Sequence, residues 1–409
     1  VVIVGAGFGG LEAAHALARA PVEVVIIDRH NHHTFQPLLY QVATAALAAP
    51  DIAWPIRSIL RRIENARVIM ADVTGVDVAA RRVRAGELQI PYDFLVLATG
   101  VTHSYFGHDE WAPFAPGLKT VEDAMELRRR ILLAFERAEI AEDEAARRRL
   151  LTFVIVGGGP TGVEMAGAIA EVARHALRAD FHRIDPSKAH VVLVEAGPRI
   201  LPTFPERLSR YAEHSLARMG VEVRTSALVT ECRADGVVLK DSRIDAGTTI
   251  WAAGVAASPA ARWIGAATDK AGRIKVSADL SVPGHAEIFA VGDTAVPADP
   301  NTPPIPGIAP AAKQMGRYVG RLIGARIAGE KPPAPFVYRH YLDLAAIGRR
   351  SAVVRRGRLQ LTGYLAWWFW GIAHIYFLIG VRNRFVVAIN WFWNYLTFQR
   401  GARVITGQS

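Results

Sequence analysis

Cysteine is almost absent. A single residue, Cys232, in 409 excludes an intramolecular disulfide, a multi-cysteine zinc site, an iron-sulfur cluster and any flavoenzyme cycle that needs a redox-active cysteine pair. Acidic side chains disappear late in the chain: from Leu344 to Ser409 there is no Asp or Glu, while Arg349, Arg350, Arg355, Arg356, Arg358, Arg382, Arg384, Arg400 and Arg403 supply +9 of the formal +10. The first 343 residues are therefore nearly neutral. Apolar runs stay short. Gly363 to Gly380 is an uncharged stretch of 18 residues, at the lower edge for a membrane span, and Phe385 to Phe398 has 14, too few for one. With 51% apolar and 21% charged residues, the composition excludes a mainly disordered, collagen-like or coiled-coil chain. The length exceeds what one hydrophobic core organises and predicts two or three domains.

What the basic end does contain is aromatic. Thirteen of the 35 aromatic residues lie between Tyr364 and Phe398, including Trp367, Trp368, Trp370, Trp391 and Trp393. Such a segment fits an anionic surface, either nucleic acid or membrane, and tryptophan prefers the headgroup level of a bilayer. The expectation is membrane and not nucleic acid: two helices lying on or dipping into one leaflet, with Val381-Arg382-Asn383-Arg384 as a charged break between them. A buried helix pair or a homodimer interface is the alternative. No signal-peptide pattern precedes the opening strand Val1 to Val4, and nothing else asks for export. The expected location is the cytoplasmic face of the inner or cell membrane, as a peripheral, monotopic protein.

Two segments carry the chemistry. The strand Val1 to Val4 runs into Gly5-Ala6-Gly7-Phe8-Gly9-Gly10 and then a helix, so Gly5, Gly7 and Gly10 have the G-x-G-x-x-G spacing. The first glycine permits a tight turn, the second lets backbone approach a pyrophosphate, and the third lets helix and strand pack closely, with the helix N-terminus facing the phosphates. Eighteen residues after Gly10, a second apolar strand ends in Asp28, an acid that can accept from both ribose hydroxyls. The pattern recurs 152 residues on. Gly157, Gly159 and Gly162 follow the strand Phe153 to Val156, and the strand Val191 to Val194 ends in Glu195. A carboxylate there repels a 2′-phosphate and favours NADH over NADPH, with Arg199 four residues on as the reservation. One glycine turn can be architectural; two with their acids indicate two dinucleotides, and so an electron relay in which NADH reduces a flavin.

Three further strand ends agree. Tyr92 to Gly100 and Thr248 to Gly254 end in small-residue turns, making Thr99 and Gly100 cofactor-binding candidates alongside Arg29. Glu287 to Ala295 ends in Gly292-Asp293, which suits a ribityl chain and phosphate. In this order the segments resemble the two-dinucleotide flavoprotein reductases. The run from Asp28 to Ala43 (DRHNHHTFQPLLYQVA), with Gly159-Pro160-Thr161-Gly162-Val163-Glu164, Gly307 to Gly316 and the arginine-punctuated tail, resembles the bacterial type II NADH:quinone oxidoreductases, single-subunit respiratory NADH dehydrogenases that do not pump protons. The likeness runs the whole chain.

The resemblance implies an α/β fold with two Rossmann-like dinucleotide-binding domains, the FAD domain interrupted by the NADH domain, plus a C-terminal amphipathic helical membrane anchor. The expected boundaries are 1–115 and 272–343 for FAD, 116–271 for NADH and 344–409 for the anchor. One non-covalent FAD is the implied cofactor, with NADH and a quinone as substrates. Glu164 resembles a family glutamate between nicotinamide and flavin; a first-turn helix acid favoured by the dipole is the alternative, and the functional reading is preferred. Gln36, Pro37, Ala309, Gln314 and His374 are the implied quinone-site candidates. Where many family members have A-Q-x-A-x-Q, this chain has Ala309-Pro310-Ala311-Ala312-Lys313-Gln314, so the first glutamine is lost and Pro310 donates nothing. That segment reads either as quinone contact through Gln314 or as a helix start covering the flavin with Lys313 near its edge. His374 is either a proton donor near quinone or an interfacial residue. His30, His32 and His33 alternate on an extended chain and lack companion ligands, so no metal is expected. A reductase of ferredoxin or of another lipid-borne acceptor, and a non-catalytic membrane-bound NADH sensor, remain alternatives.

Overall fold

Valine and isoleucine runs bounded by glycine turns build two parallel sheets, one in each of two units. The computed structural model describes residues 1–397 and 400–405. The first unit comprises Val1–Thr34, Trp54–Thr102 and Val255–His340; the second comprises Phe35–Ala53, His103–Gly254 and Tyr341 onward. The helices that position the site are α1 (Phe8–Ala16), α2 (Leu39–Ala43), α3 (Pro160–Glu171), α4 (Glu206–Arg218), α5 (Ala309–Ala328), α6 (Gly363–Phe377) and α7 (Val381–Thr397).

In the first unit, Val2–Val4 lies between the parallel strands Val24–Asp28 and Leu95–Leu97, and His285–Ala290 extends the same sheet. Ile3, Val24, Ile26, Ile27, Leu95, Val96 and Leu97 are fully buried, as a doubly covered parallel sheet requires. Each such side chain contributes about 1.5–3 kcal/mol relative to exposure. Helix α5 crosses α1 at glycine contacts: a Cβ on Gly316 would overlap the Gly9 carbonyl, and one on Gly320 would stand 2.6 Å from the Ala16 Cβ.

The second unit repeats the plan. Thr152–Val156 lies between His190–Val194 and Thr248–Trp251, all parallel, with Val221–Arg224 at one edge. Cys232 packs with Trp251, Tyr105 and Val237 in the core beside this sheet. Burial pushes its thiol up to about 12, so it stays protonated and inert.

The described part of the tail groups with the second unit: Asp343–Gly348, Ser351–Arg356 and Leu359–Thr362 form an antiparallel sheet seated on α3, where a Cβ on Gly167 would overlap the Ile347 carbonyl. Residues 35–53 also join the second unit instead of the expected first segment, because α2 packs on α3 and on the helix Val121–Ile140. The break between the last two helices falls at Leu378–Gly380, with Gly380 at φ 85°, and not at Val381–Arg384, which forms the first turn of α7. Asn383 is buried and donates to the Pro50 carbonyl at 3.4 Å, while Arg384 donates to the Leu378 carbonyl at 2.9 Å and so braces the helix junction. Phe398, the end of the second apolar run, lies outside the described residues.

Candidate active site

The first glycine loop closes as its spacing requires. Gly5 has φ +100°, and a Cβ on Gly10 would overlap the Gly5 carbonyl, so only glycine lets α1 start this close to the strand. Around Gly7, the N-cap of α1, a Cβ would meet no described atom within 4 Å. An opening at a helix N-terminus suits an anionic group such as a pyrophosphate. Asp28 stands beside it: Ala6 N–H donates to one carboxylate oxygen at 2.7 Å and His30 N–H to the other at 2.8 Å, with Arg29 exposed next to it.

Other elements of the first unit converge on hydroxyls. Gly100 N–H donates to Thr294 Oγ1 at 2.7 Å, and Thr99 Oγ1 lies 2.5 Å from Ser258 Oγ. Gly292 adopts φ +69°, and the Asp293 carboxylate lies 3.4 Å from where a Gly307 Cβ would be. Lys313, one turn into α5 from Ala309, carries its ammonium 5.5 Å from the Phe8 ring centroid. Thr294 and Ser258 were not singled out by the sequence; Thr294 sits in the Gly292-Asp293 turn and was within reach, whereas Ser258 has no local signal.

His33 tests whether this cradle suits FAD. Its Nδ1 lies 2.9 Å from the Ala6 carbonyl oxygen and its ring meets Phe8 edge-on. Burial lowers the imidazole to about 4, so it is neutral, and its buried Nε2 has no hydrogen-bond partner among the described residues. With Nδ1–H given to Ala6, Nε2 is an acceptor awaiting a donor. An acceptor, an acid, a threonine pair and an open helix N-terminus fit a ligand rich in hydroxyl and phosphate, as FAD is. Among the described residues no group of three or more His, Cys, Asp or Glu that could hold a metal occurs.

Gln314 is engaged elsewhere. Its amide nitrogen donates to the Arg339 carbonyl at 2.9 Å and its oxygen accepts from Arg339 N–H at 3.0 Å, so the side chain clasps the segment that follows α5.

The second loop mirrors the first. Gly157 has φ +111°, a Cβ on Gly162 would overlap the Gly157 carbonyl, and the space around Gly159 is open. Glu195 accepts from Gly158 N–H and Gly197 N–H, each at 2.6 Å. The reservation over Arg199 is answered by its geometry. Its guanidinium donates to the Phe204 and Pro202 carbonyls and to Ser209 Oγ at 2.7–2.8 Å, which commits it to its own turn.

Beyond this loop lies a half-open cavity of about 100 Å³. Glu164 lines it from the second turn of α3, not from the first, so the first-turn reading does not hold. Ala346 N–H donates to its carboxyl at 3.3 Å, and burial pushes that carboxyl up to about 8. Tyr40 lines the same cavity, its phenol raised well above 10 by burial and then by Glu164. Gln41 donates to Tyr40 Oη at 3.1 Å and accepts from Trp391 Nε1 at 2.7 Å. The pair of Glu171 and Arg400 closes one wall at 3.1 Å. Tyr40 and Gln41 lay inside the run that carried the resemblance, but nothing local marks the partnership of Glu171 with Arg400.

The other candidates on this unit are dispersed. Gln36 and Pro37 form a 3-10 turn leading into α2, with Gln36 exposed. His374 is buried and uncharged at neutral pH. It faces inward from α6, with Nδ1 2.7 Å from the Trp370 carbonyl and its ring against Trp370 and Phe35, and burial lowers it to about 4.

These loops place the chain among known proteins. The pyridine nucleotide-disulphide oxidoreductase family matches residues 1–316. The chain is 43% identical to the type II NADH:quinone oxidoreductase Ndh of Mycobacterium tuberculosis, over all of this chain and 90% of that protein. It belongs to the type II NADH:quinone oxidoreductase family. A second relative in the same organism, NdhA, is 44% identical over all of this chain and 89% of that protein. The NDH2 of Plasmodium falciparum, solved with NADH, shares the fold at TM-score 0.91 and 19% identity, over 99% of each chain. The matching family is named for disulphide chemistry, but the lone Cys232 is buried and has no second cysteine in the chain to pair with.

Proposed function

We propose that this chain oxidises NADH with FAD as its relay and reduces a quinone by two electrons, without pumping protons. The observation that carries the reading is the doubled clamp: Asp28 on the Ala6 amide and Glu195 on the Gly158 amide, each beside its own open glycine loop. The first unit is assigned to FAD and the second to NADH. When bound, FAD supplies the two-electron chemistry, accepting hydride from NADH and passing electrons to quinone.

The chain's own residues position and protonate. Gly5, Gly7 and Gly10 admit a pyrophosphate to the start of α1, Asp28 and the His33 Nε2 take sugar hydroxyls, and Thr99, Gly100 and Asp293 hold the polar chain beyond. Glu195 orients the ribose of NADH and disfavours a 2′-phosphate. Reducing a quinone takes two protons and NADH brings one, so the medium must supply the second. Glu164, which keeps its proton through neutral pH, is the buried acid suited to hand it on.

A membrane surface is the proposed route for quinone. Helix α6 turns Tyr364, Leu365, Trp368, Ile372 and Tyr376 outward and Ala366, Trp370 and His374 inward; α7 exposes Phe385, Ile389, Phe392 and Trp393. Such a face of i, i+4, i+8 apolar residues is too large to leave in water. Among the described residues no helix is long and apolar enough to cross a membrane. The outward apolar face supports the proposed placement of both helices in the surface, and the cytoplasmic side is part of the same proposal. A homodimer burying the same face is the second reading, and vesicle binding against oligomeric state separates them.

The deciding experiment follows flavin absorbance of the FAD-loaded chain during NADH oxidation with and without a short-chain quinone. Bleaching by NADH and recovery with quinone support the reading. Bleaching that no quinone reverses leaves an NADH-dependent flavin reductase with another acceptor, and no bleaching at all leaves a non-catalytic sensor.

A further inference from the structure

One face of α4 carries charge that neither glycine loop uses. Arg207, Arg210, Tyr211, His214 and Arg218 recur along the helix at spacings of three and four, which puts them on one side, while Leu208, Ala212 and Leu216 are buried on the other. Arg207, Arg210, His214 and Arg218 are exposed. The helix's two acids flank this side, and the one paired there, Glu206 with Arg210 at 3.6 Å, is an exposed contact of small worth. Like charges one turn apart repel, so the row is stabilised by a counter-anion.

The row lines an open groove of about 350 Å³ whose far wall is Thr362. Thr362 caps α6, so this wall continues directly into Tyr364, Leu365 and Trp368 at the start of the outward apolar face. Tyr211 Oη lies 3.3 Å from Ser351 Oγ and the same distance from where a Gly363 Cβ would stand, which holds α4 against that junction. The adjoining hairpin adds exposed Arg356 and Arg358, and no acid follows Asp343 anywhere in the sequence. Cations therefore rim an apolar surface. A nucleic acid or a free phosphate would answer the charge and leave Leu365 and Trp368 unused; an anionic amphiphile answers both.

We infer that the α4 groove is a binding site for the phosphodiester headgroup of an anionic phospholipid, with the acyl chains on the side where Leu365 and Trp368 stand. The inference rests on the membrane-surface reading of α6 and α7 and adds to it a specific lipid charge and place. Tyr364, stacked on Trp367, sits at the level that aromatic side chains take beside headgroups.

The test sediments the FAD-loaded full chain with vesicles of phosphatidylcholine alone or mixed with phosphatidylglycerol. Wild type is expected to bind the mixed vesicles more tightly. Arg207→Gln with Arg210→Gln should lose about fivefold for each arginine, the effect of one basic residue near an anionic surface, and bind neutral vesicles as before. Arg207→Lys with Arg210→Lys should keep the preference, and Arg82→Gln with Arg84→Gln, exposed on the other unit, should leave it intact. Equal binding of both vesicles by wild type, an undiminished preference in the α4 glutamine pair, or an equal loss in the distant pair overturns the inference while the membrane reading stands. Wild type that binds neither vesicle overturns both. A glutamine pair that shifts oligomeric state instead of vesicle affinity assigns the groove to a second copy. Flavin absorbance per chain checks folding. Should the glutamine pair fail that check, glycerophosphoglycerol at matched ionic strength is added to wild type on mixed vesicles: release supports the site and no release overturns it.

Discussion

Glu171 on α3 and Arg400 beyond the last helix meet at 3.1 Å although 229 residues separate them. Arg400 also donates to the Thr44 carbonyl at 2.8 Å, so one guanidinium ties the chain's end to α3 and to the segment after α2. Both charges are largely withdrawn from water. Removing one partner of such a pair strands the other. Arg400→Met is therefore expected to destabilise the folded chain by about 3 kcal/mol, and Arg400→Met with Glu171→Gln to recover part of the loss. Urea unfolding of the three proteins measures this; an Arg400→Met variant as stable as wild type refutes the pairing.

The Glu164 carboxyl loses its proton near pH 8 in the folded chain but near its ordinary 4.5 once unfolded. Between these values the folded state binds the extra proton, so stability falls as pH rises through the window. Glu164→Gln should flatten that dependence in denaturation midpoints. It should also lower quinone-linked turnover about a hundredfold, the low end for a proton-transferring side chain. Wild-type turnover should decline as pH passes about 8, in step with the ionisation. Unchanged turnover in the glutamine variant would remove Glu164 from the reaction.

Gly7 has an ordinary extended conformation and open space around it. Alanine there fits the empty loop and intrudes only where a pyrophosphate approaches. Gly7→Ala is expected to fold with the melting temperature of FAD-stripped wild type and to bind FAD roughly tenfold or more weakly, since close backbone approach is what the second glycine permits. Flavin titration by fluorescence quenching reads the difference, and undiminished affinity would move the pyrophosphate elsewhere.

Glu195→Gln removes the charge and leaves one of the Gly158 and Gly197 amides without its carboxylate acceptor. KM for NADH should rise about tenfold, as expected for loss of a charge-assisted hydrogen bond, while KM for NADPH rises less or falls. A constant ratio of the two would mean that Glu195 does not read the ribose.

Ile372 and Phe385 are exposed at 63% and 66% on the apolar faces of α6 and α7. Replacing both with serine should weaken binding to neutral vesicles by about tenfold for each side chain, from the apolar area no longer taken out of water. If instead the double variant turns a dimer into a monomer without changing vesicle binding, the face belongs to a second copy.

The parts of the site legible in the sequence are those that act over a few residues. Gly5 to Gly10 and Gly157 to Gly162 are each one turn, and their acids end the adjacent strand, so spacing and strand pattern alone located Asp28 and Glu195. The outward stripe of α6 was likewise written in its aromatic residues. Tertiary packing decided what distant segments do to one another. Gln314 was turned to Arg339, His374 was turned inward onto Trp370 by the fold of the tail, and residues 35–53 were drawn into the second unit by α3. The same packing withdrew Glu164 from water, in a cavity that Tyr40 and Arg400 also line, and burial moved its proton. A carboxyl's affinity for a proton depends on what excludes water from it, and at Glu164 those groups come from both ends of the chain. Local pattern therefore set the two glycine loops and their acids, and long-range burial set which side chains can carry charge.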